Sequence, residues 1–157
     1  MVVESNSIKN SYKCPRHNIS NEYMLMDVIM EKPVVFIVDD DVSVCTALKR
    51  LMKSAGIKAR SLSSAEDFLN QGCHNVPGCL ILDVRMPGMN GLELQEKLVK
   101  SGSTMPIIFM SAHEDASARE QAMKAGAIAF LKKPFEDQIL IEKVNSALSR
   151  IEDGPEP

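Results

Sequence analysis

Leu80-Ile81-Leu82-Asp83-Val84-Arg85-Met86-Pro87-Gly88 is an apolar, strand-like run that stops at a carboxylate and turns at once through Pro-Gly. Upstream, Val34-Val35-Phe36-Ile37-Val38 ends just as abruptly in Asp39-Asp40-Asp41. Downstream, Phe130-Leu131 runs into Lys132-Lys133-Pro134-Phe135. Parallel strands place their carboxyl ends along one edge of a sheet, and open α/β sheets bind their ligands there. On that edge these strings make an acidic pocket with a cationic rim, which suits a divalent metal and a phosphoryl group.

The chain between these strings alternates regularly. Residues 34–38 read as a buried strand, being short, apolar and β-branched. Val44, Ala47, Leu48, Leu51, Met52 and Ala55 then recur at helical spacing, and Gly56 stands where that helix should stop. Residues 58–62 form a weaker strand nearer the edge. Ser63 with Glu66 matches a capping box opening a short helix through Ala65, Phe68 and Leu69. Residues 79–82 are the third strand, and Pro87-Gly88 with Asn90-Gly91 marks a tight loop before a helix carrying Leu92, Leu94, Leu98 and Val99. A fourth strand at 106–110, a helix at 115–125 and a fifth strand at 127–131 follow. The last helix puts Leu140, Val144, Ala147, Leu148 and Ile151 on one face. Five strands alternating with five helices predict an α/β, flavodoxin-like (βα)5 fold, with a parallel sheet in the order 2-1-3-4-5 and helices on both faces.

The 157 residues suffice for one domain and its core. Hydrophobic residues at 45% and charged residues at 25% are ordinary for a globular protein, and a net charge of −3 gives no reason to expect nucleic-acid binding. No apolar run approaches bilayer-spanning length, and the N-terminus lacks a secretory h-region. Residues 1–32 read as an extension, in which only 23–30 has the pattern of a short amphipathic helix, residues 33–151 as the domain, and 152–157 as an acidic Gly/Pro tail. Of the four cysteines, Cys45 and Cys79 fall in predicted core positions, and the simplest reading is a reduced, cytoplasmic protein. Cys14 and His17 make at most half of a metal site, since no second pair of suitable spacing follows.

Asp41 stands nearest the first helix and reads as its cap. Asp39 and Asp40 are not needed for capping, and their mutual repulsion asks for a cation. Hard carboxylate oxygens with a main-chain carbonyl suit Mg²⁺. Asp83 reads either as a turn residue or as a phosphoryl acceptor, a role aspartate fills chemically. Lys133 can reach a phosphoryl oxygen, whereas Lys132 points to the opposite face. Ser111 either donates to the same phosphoryl group or caps the next helix, and Lys133-Pro134 invites a cis peptide.

Asp39-Asp40 after the first strand, Asp-Val-Arg-Met-Pro-Gly-Met-Asn-Gly-Leu-Glu-Leu at 83–94, Ser111-Ala112 and Lys133-Pro134 occur in the order of a response-regulator receiver domain, which residues 33–151 resemble. The Asp-x-Arg-Met-Pro wording and Met-Lys-Ala-Gly-Ala at 123–127 are most similar to receivers of FixJ-type, LuxR-class regulators. The resemblance implies that Asp83 takes a phosphoryl group from a sensor histidine kinase or phosphotransfer protein. It implies Mg²⁺, or Mn²⁺, on Asp40, Asp83 and the Arg85 main-chain carbonyl, with Asp39 acting through a metal-bound water. It also implies that Lys133 and Ser111 engage the phosphoryl group, and that Phe130 is the aromatic whose rotamer follows Ser111, its plain alternative being strand packing. The resemblance further implies that Ala112 keeps access to Asp83 open, and that Arg85 and His113, which flank the pocket, tune the signal's lifetime. Such a chain is a phosphoacceptor signalling protein rather than an enzyme acting on other molecules. Its switch surface, formed by the fourth helix, fifth strand and fifth helix, serves homodimers or partners.

No recognition helix is present, so no DNA contact is expected from this chain. It reads as a stand-alone receiver, with two alternatives: the receiver part of a truncated transcription regulator, or a non-phosphorylated interaction module. A haloacid-dehalogenase-like phosphatase would want a second aspartate two positions after Asp83, where Arg85 stands.

Overall fold

The computed structural model describes residues 32–152. Its strands are β1 (Val34–Val38), β2 (Ala59–Leu62), β3 (Gly78–Asp83), β4 (Ile107–Ser111) and β5 (Ala129–Lys132). They alternate with α1 (Val42–Ser54), α2 (Ala65–Asn70), α3 (Gly91–Lys100), α4 (Ala116–Lys124) and α5 (Asp137–Glu152). The sheet is parallel throughout, in the order β2-β1-β3-β4-β5, as the alternation predicts.

Every residue of β1, β3 and β4 is buried, as expected of strands covered on both faces. Side-chain alternation then sorts the core into two layers. Val34, Phe36, Val38, Leu80, Leu82 and Phe109 pack with Phe68, Leu94, Leu98 and Ala122 of α2, α3 and α4. Val35, Ile37, Ile81, Ile108 and Met110 pack with Cys45, Leu48 and Met52 of α1 and with Leu140, Val144 and Ala147 of α5. β2 pairs only with β1, and it is the edge strand its weaker pattern suggests.

Several local expectations need correction. Ser64, not Ser63, caps α2, its hydroxyl accepting from Asp67 N–H. The capping box therefore fails there, because Glu66 becomes the second helical residue and its carboxylate accepts from Met89 N–H instead. Val99 is 53% exposed, so α3 buries a narrower face than its leucines suggest. β4 begins one residue late, at Ile107, and β5 two late, at Ala129, while α5 runs one residue past 151. Cys45 and Cys79 are buried free thiols, and burial pushes the Cys79 thiol up to about 12. The Cys14–His17 pair, and most of the two terminal segments, lie outside the described residues.

Gly78 opens β3 beside β1. A Cβ built there would lie 1.9 Å from the Val34 carbonyl oxygen, a main-chain atom held in the ladder. Gly78→Ala is expected to cost about 3 kcal/mol of stability, as overpacking against backbone does. Chemical denaturation checks this, and an unchanged midpoint would refute it.

Candidate phosphoryl-transfer site

The site lies where β1, β3, β4 and β5 end. Asp39 continues β1, its N–H donating to the Leu62 carbonyl, and is only 2% exposed. One carboxylate oxygen accepts from Asp41 N–H (2.9 Å), and the other accepts from Lys133 Nζ (2.9 Å). Asp40, the next residue, is exposed. Asp41 caps α1 as expected, accepting from Ser43 and Val44 N–H. These hydrogen bonds from Ser43, side chain first, hold its carboxyl below the ordinary range.

Asp83 is the last residue of β3 and is buried, with Lys133 Nζ 3.1 Å from one oxygen. The turn after it closes on itself, Gly91 N–H donating to the Val84 carbonyl (2.9 Å). A Cβ on Gly91 would lie 2.4 Å from the Asp83 carbonyl oxygen, so glycine lets α3 start against the strand end. Lys133 is set by its own main chain, its N–H donating to the Ser111 carbonyl (2.8 Å) and joining the ends of β5 and β4. The Lys133–Pro134 peptide is cis.

Asp39, Asp40 and Asp83 can each place an oxygen within 4.8 Å of the others. One ammonium faces three carboxylates, and the electrostatics show the imbalance. Burial raises the Asp83 pKa, and the Asp39 and Asp40 charges add to it, while Lys133 offsets only part. For Lys133, burial opposes its charge, but the hydrogen bonds and charges of Asp39 and Asp83 outweigh burial and raise its pKa. A crowded, hard-oxygen set with surplus negative charge fits a divalent cation.

Ser111 ends β4 and is 1% exposed. Its hydroxyl donates to the His113 carbonyl (3.1 Å) and accepts from His113 N–H (3.2 Å). It does not cap α4, since Asp115 does, accepting from Ala118 N–H (2.9 Å). Ala112 and His113 are exposed on the loop that follows. Arg85 reaches over to Asp115 (3.5 Å), so the β3–α3 and β4–α4 loops are bridged at the surface. Lys132 points away, as alternation predicts, and pairs with Glu114 at 2.9 Å. Phe130 is buried and packs on Phe109, with ring centroids 6.0 Å apart.

The Response regulator receiver domain pattern matches residues 35–145. The chain belongs to that family. It is 47% identical over 118 residues to the response regulator protein TmoT of Ectopseudomonas mendocina, covering 75% of this chain and 54% of TmoT. It is 37% identical over 118 residues to the transcriptional regulatory protein FixJ of Bradyrhizobium diazoefficiens, covering 75% of this chain and 58% of FixJ. Among solved structures it resembles FixJ-N with a TM-score of 0.71 at 36% identity, covering 77% of this chain and 97% of that one. The receiver therefore spans about half the length of the curated relatives it matches. Among the described residues, no helix is long and apolar enough to cross a membrane.

Two contacts of this receiver lie beyond what residue type and spacing predict. Glu66 of α2 accepts from Met89 N–H (3.0 Å), tying the β3–α3 loop to a helix 23 positions upstream. That hydrogen bond holds its carboxyl below the ordinary range. Arg119 of α4 donates to the Phe130 carbonyl (2.8 Å). Both contacts use main-chain groups as partners, which leave no mark on residue type.

Proposed function

We propose that this receiver is a phosphorylation switch of a two-component system, with Asp83 as acceptor. The observation that carries this reading is the Lys133 ammonium, hydrogen-bonded to both Asp39 and Asp83 beside the exposed Asp40. A nucleophile, a metal-binding carboxylate pair and a mobile cation thus share one strand edge. In the transfer, an Asp83 oxygen forms a bond to phosphorus as the N–P bond of a phosphohistidine on a kinase or phosphotransfer protein breaks. The imidazole leaves with the electron pair. Mg²⁺ (or Mn²⁺), held by Asp40, Asp83 and the Arg85 main-chain carbonyl, with Asp39 acting through a water, would neutralise charge on the phosphoryl oxygens.

Lys133 then gives up an Asp83 oxygen for a phosphoryl oxygen. The Ser111 hydroxyl leaves the His113 carbonyl for another, and Phe130 follows. Phosphorylation adds about 1.5 to 2 negative charges and three acceptor oxygens at one point. That bias falls on the α4–β5–α5 surface, which we assign to homodimers or output partners. The setting is cytoplasmic, and the chain catalyses nothing beyond its own phosphorylation and dephosphorylation.

Phosphotransfer followed by intact mass and size-exclusion tests acceptor competence and dimerisation together. Failure to label in the presence of Mg²⁺ would favour a purely structural interaction module. Arg85 and His113 should tune the lifetime of the phosphorylated state, since both flank the acceptor and Arg85 is committed to Asp115. Decay rates of Arg85→Ala and His113→Ala are expected to differ from wild type by about threefold or more, a difference of some 0.7 kcal/mol in barrier. Unchanged rates in both would refute that role.

A further inference from the structure

The geometry points to Arg119 as a latch that holds Phe130 in its buried position and thereby sets the resting balance of the switch. This rests on the reading of Phe130 as the switch aromatic. β5 is an edge strand, and an edge leaves one row of main-chain groups without a ladder partner. Arg119 supplies one to Phe130, donating from its guanidinium to the carbonyl oxygen at 2.8 Å. The same guanidinium lies 5.4 Å from the centroid of the Phe130 ring, within cation–π range. One side chain therefore grips both the backbone and the ring of a single residue.

The other contacts of Phe130 do not select one state so specifically. Its ring lies on Phe109, across the β4–β5 register, at 29° between planes. That contact is apolar and tolerates sliding. The Arg119 grip is directional, because a planar donor fork must meet a fixed carbonyl while its face covers a ring. Any rotamer change that carries Phe130 away from this position removes the cation–π contact.

Arg119 also couples the ring to the surface. It stands on the exposed side of α4, one turn into the helix that follows the Ser111–His113 loop. Close by, Glu114 pairs with Lys132 and feels the Arg119 charge. A partner that draws the guanidinium away with a carboxylate would release Phe130. By linkage, the same partner would then favour the phosphorylated form. Arg119 is thus a positioning residue, acting on phosphorylation only through Phe130.

The test uses the full chain with fluorinated phenylalanine at all five positions, the Phe130 resonance being assigned from Phe130→Leu. Arg119→Gln keeps helix propensity, so the fold should hold. Without any phosphoryl group, Arg119→Gln is expected to move the Phe130 resonance toward its position in wild type with beryllium fluoride and Mg²⁺. The Phe36 and Phe68 signals should stay in place. Labelling by acetyl phosphate should quicken about threefold, since a turn of the ring breaks the cation–π contact but leaves the hydrogen bond to the main-chain carbonyl in place. Arg119→Lys, which keeps the charge but not the planar fork, should fall between.

A Phe130 resonance identical in Arg119→Gln and wild type would overturn the latch. If beryllium fluoride fails to move Phe130 in wild type while Arg119→Gln does move it, Arg119 still holds the ring, but its control of the switch falls together with the reading of Phe130 as the switch aromatic.

Discussion

Lys133→Ala is expected to slow labelling of Asp83 by about two orders of magnitude, the usual cost of removing one preorganised donor from a charge-developing site. Lys133 is the cation seen on both buried carboxylates, at 2.9 Å from Asp39 and 3.1 Å from Asp83. Without it three carboxylates face one another unneutralised, and the phosphoryl group loses its ammonium. The same substitution should destabilise the metal-free protein by about 2 kcal/mol, because a buried Asp39 is left without its partner. The sign follows from the pKa. Pairing raises Lys133 above its ordinary value of 10.5, so its contribution is fully present at neutral pH and is lost only as pH rises through the raised pKa. Thermal melts with and without Mg²⁺ check this, and part of the loss should be recovered by the metal. Equal melting temperatures without metal would contradict it.

Stabilisation by Mg²⁺ should itself depend on pH. Burial and the neighbouring acids raise Asp83 above its ordinary 3.8 in the folded protein. A raised carboxylate favours folding when protonated, so its contribution is greatest at acid pH and falls as pH rises through the raised pKa. At neutral pH the folded protein therefore carries a repulsion that a divalent cation relieves. At a hundredfold excess over its dissociation constant, Mg²⁺ adds about 2.7 kcal/mol to the stability of a one-site protein. That gain should shrink as the solution is acidified through the raised Asp83 pKa, earlier than for an ordinary aspartate, with affinity dropping about tenfold for each pH unit below it. Melting temperature against pH, at fixed Mg²⁺, reads the effect. A gain that holds constant down to the ordinary aspartate range would sink the argument.

Much of this was legible because apolar strands stop abruptly at charge. Buried parallel strands are continuous in hydrophobicity, so β1 and β3 announce their ends at Asp39 and Asp83, and strand polarity puts those ends on one edge. Alternation separated Lys132 from Lys133, and the structure sends one to Glu114 and the other to the acids. Helix capping was harder to place. Adjacent serines at 63 and 64 offer equivalent oxygens, and a shift of the cap by one residue moves Glu66 out of the box and leaves it to the Met89 N–H of the β3–α3 loop. The exposure of Val99 depends on how α3 is rolled against the sheet, which periodicity alone leaves open by one residue. The resting partners of Ser111 lie in the loop main chain, and the Arg119 grip on Phe130 spans two elements, so no local spacing marks either.

The switch requires metal-dependent acceptance of a phosphoryl group by Asp83. Its most direct measurement is intact mass after incubation with acetyl phosphate, for wild type and Asp83→Asn, with Mg²⁺ and with a chelator. Labelling by a single phosphoryl group in wild type with Mg²⁺, and none in Asp83→Asn or with chelator, is the predicted result. Equal labelling of wild type and Asp83→Asn, or labelling that ignores the metal, would contradict it.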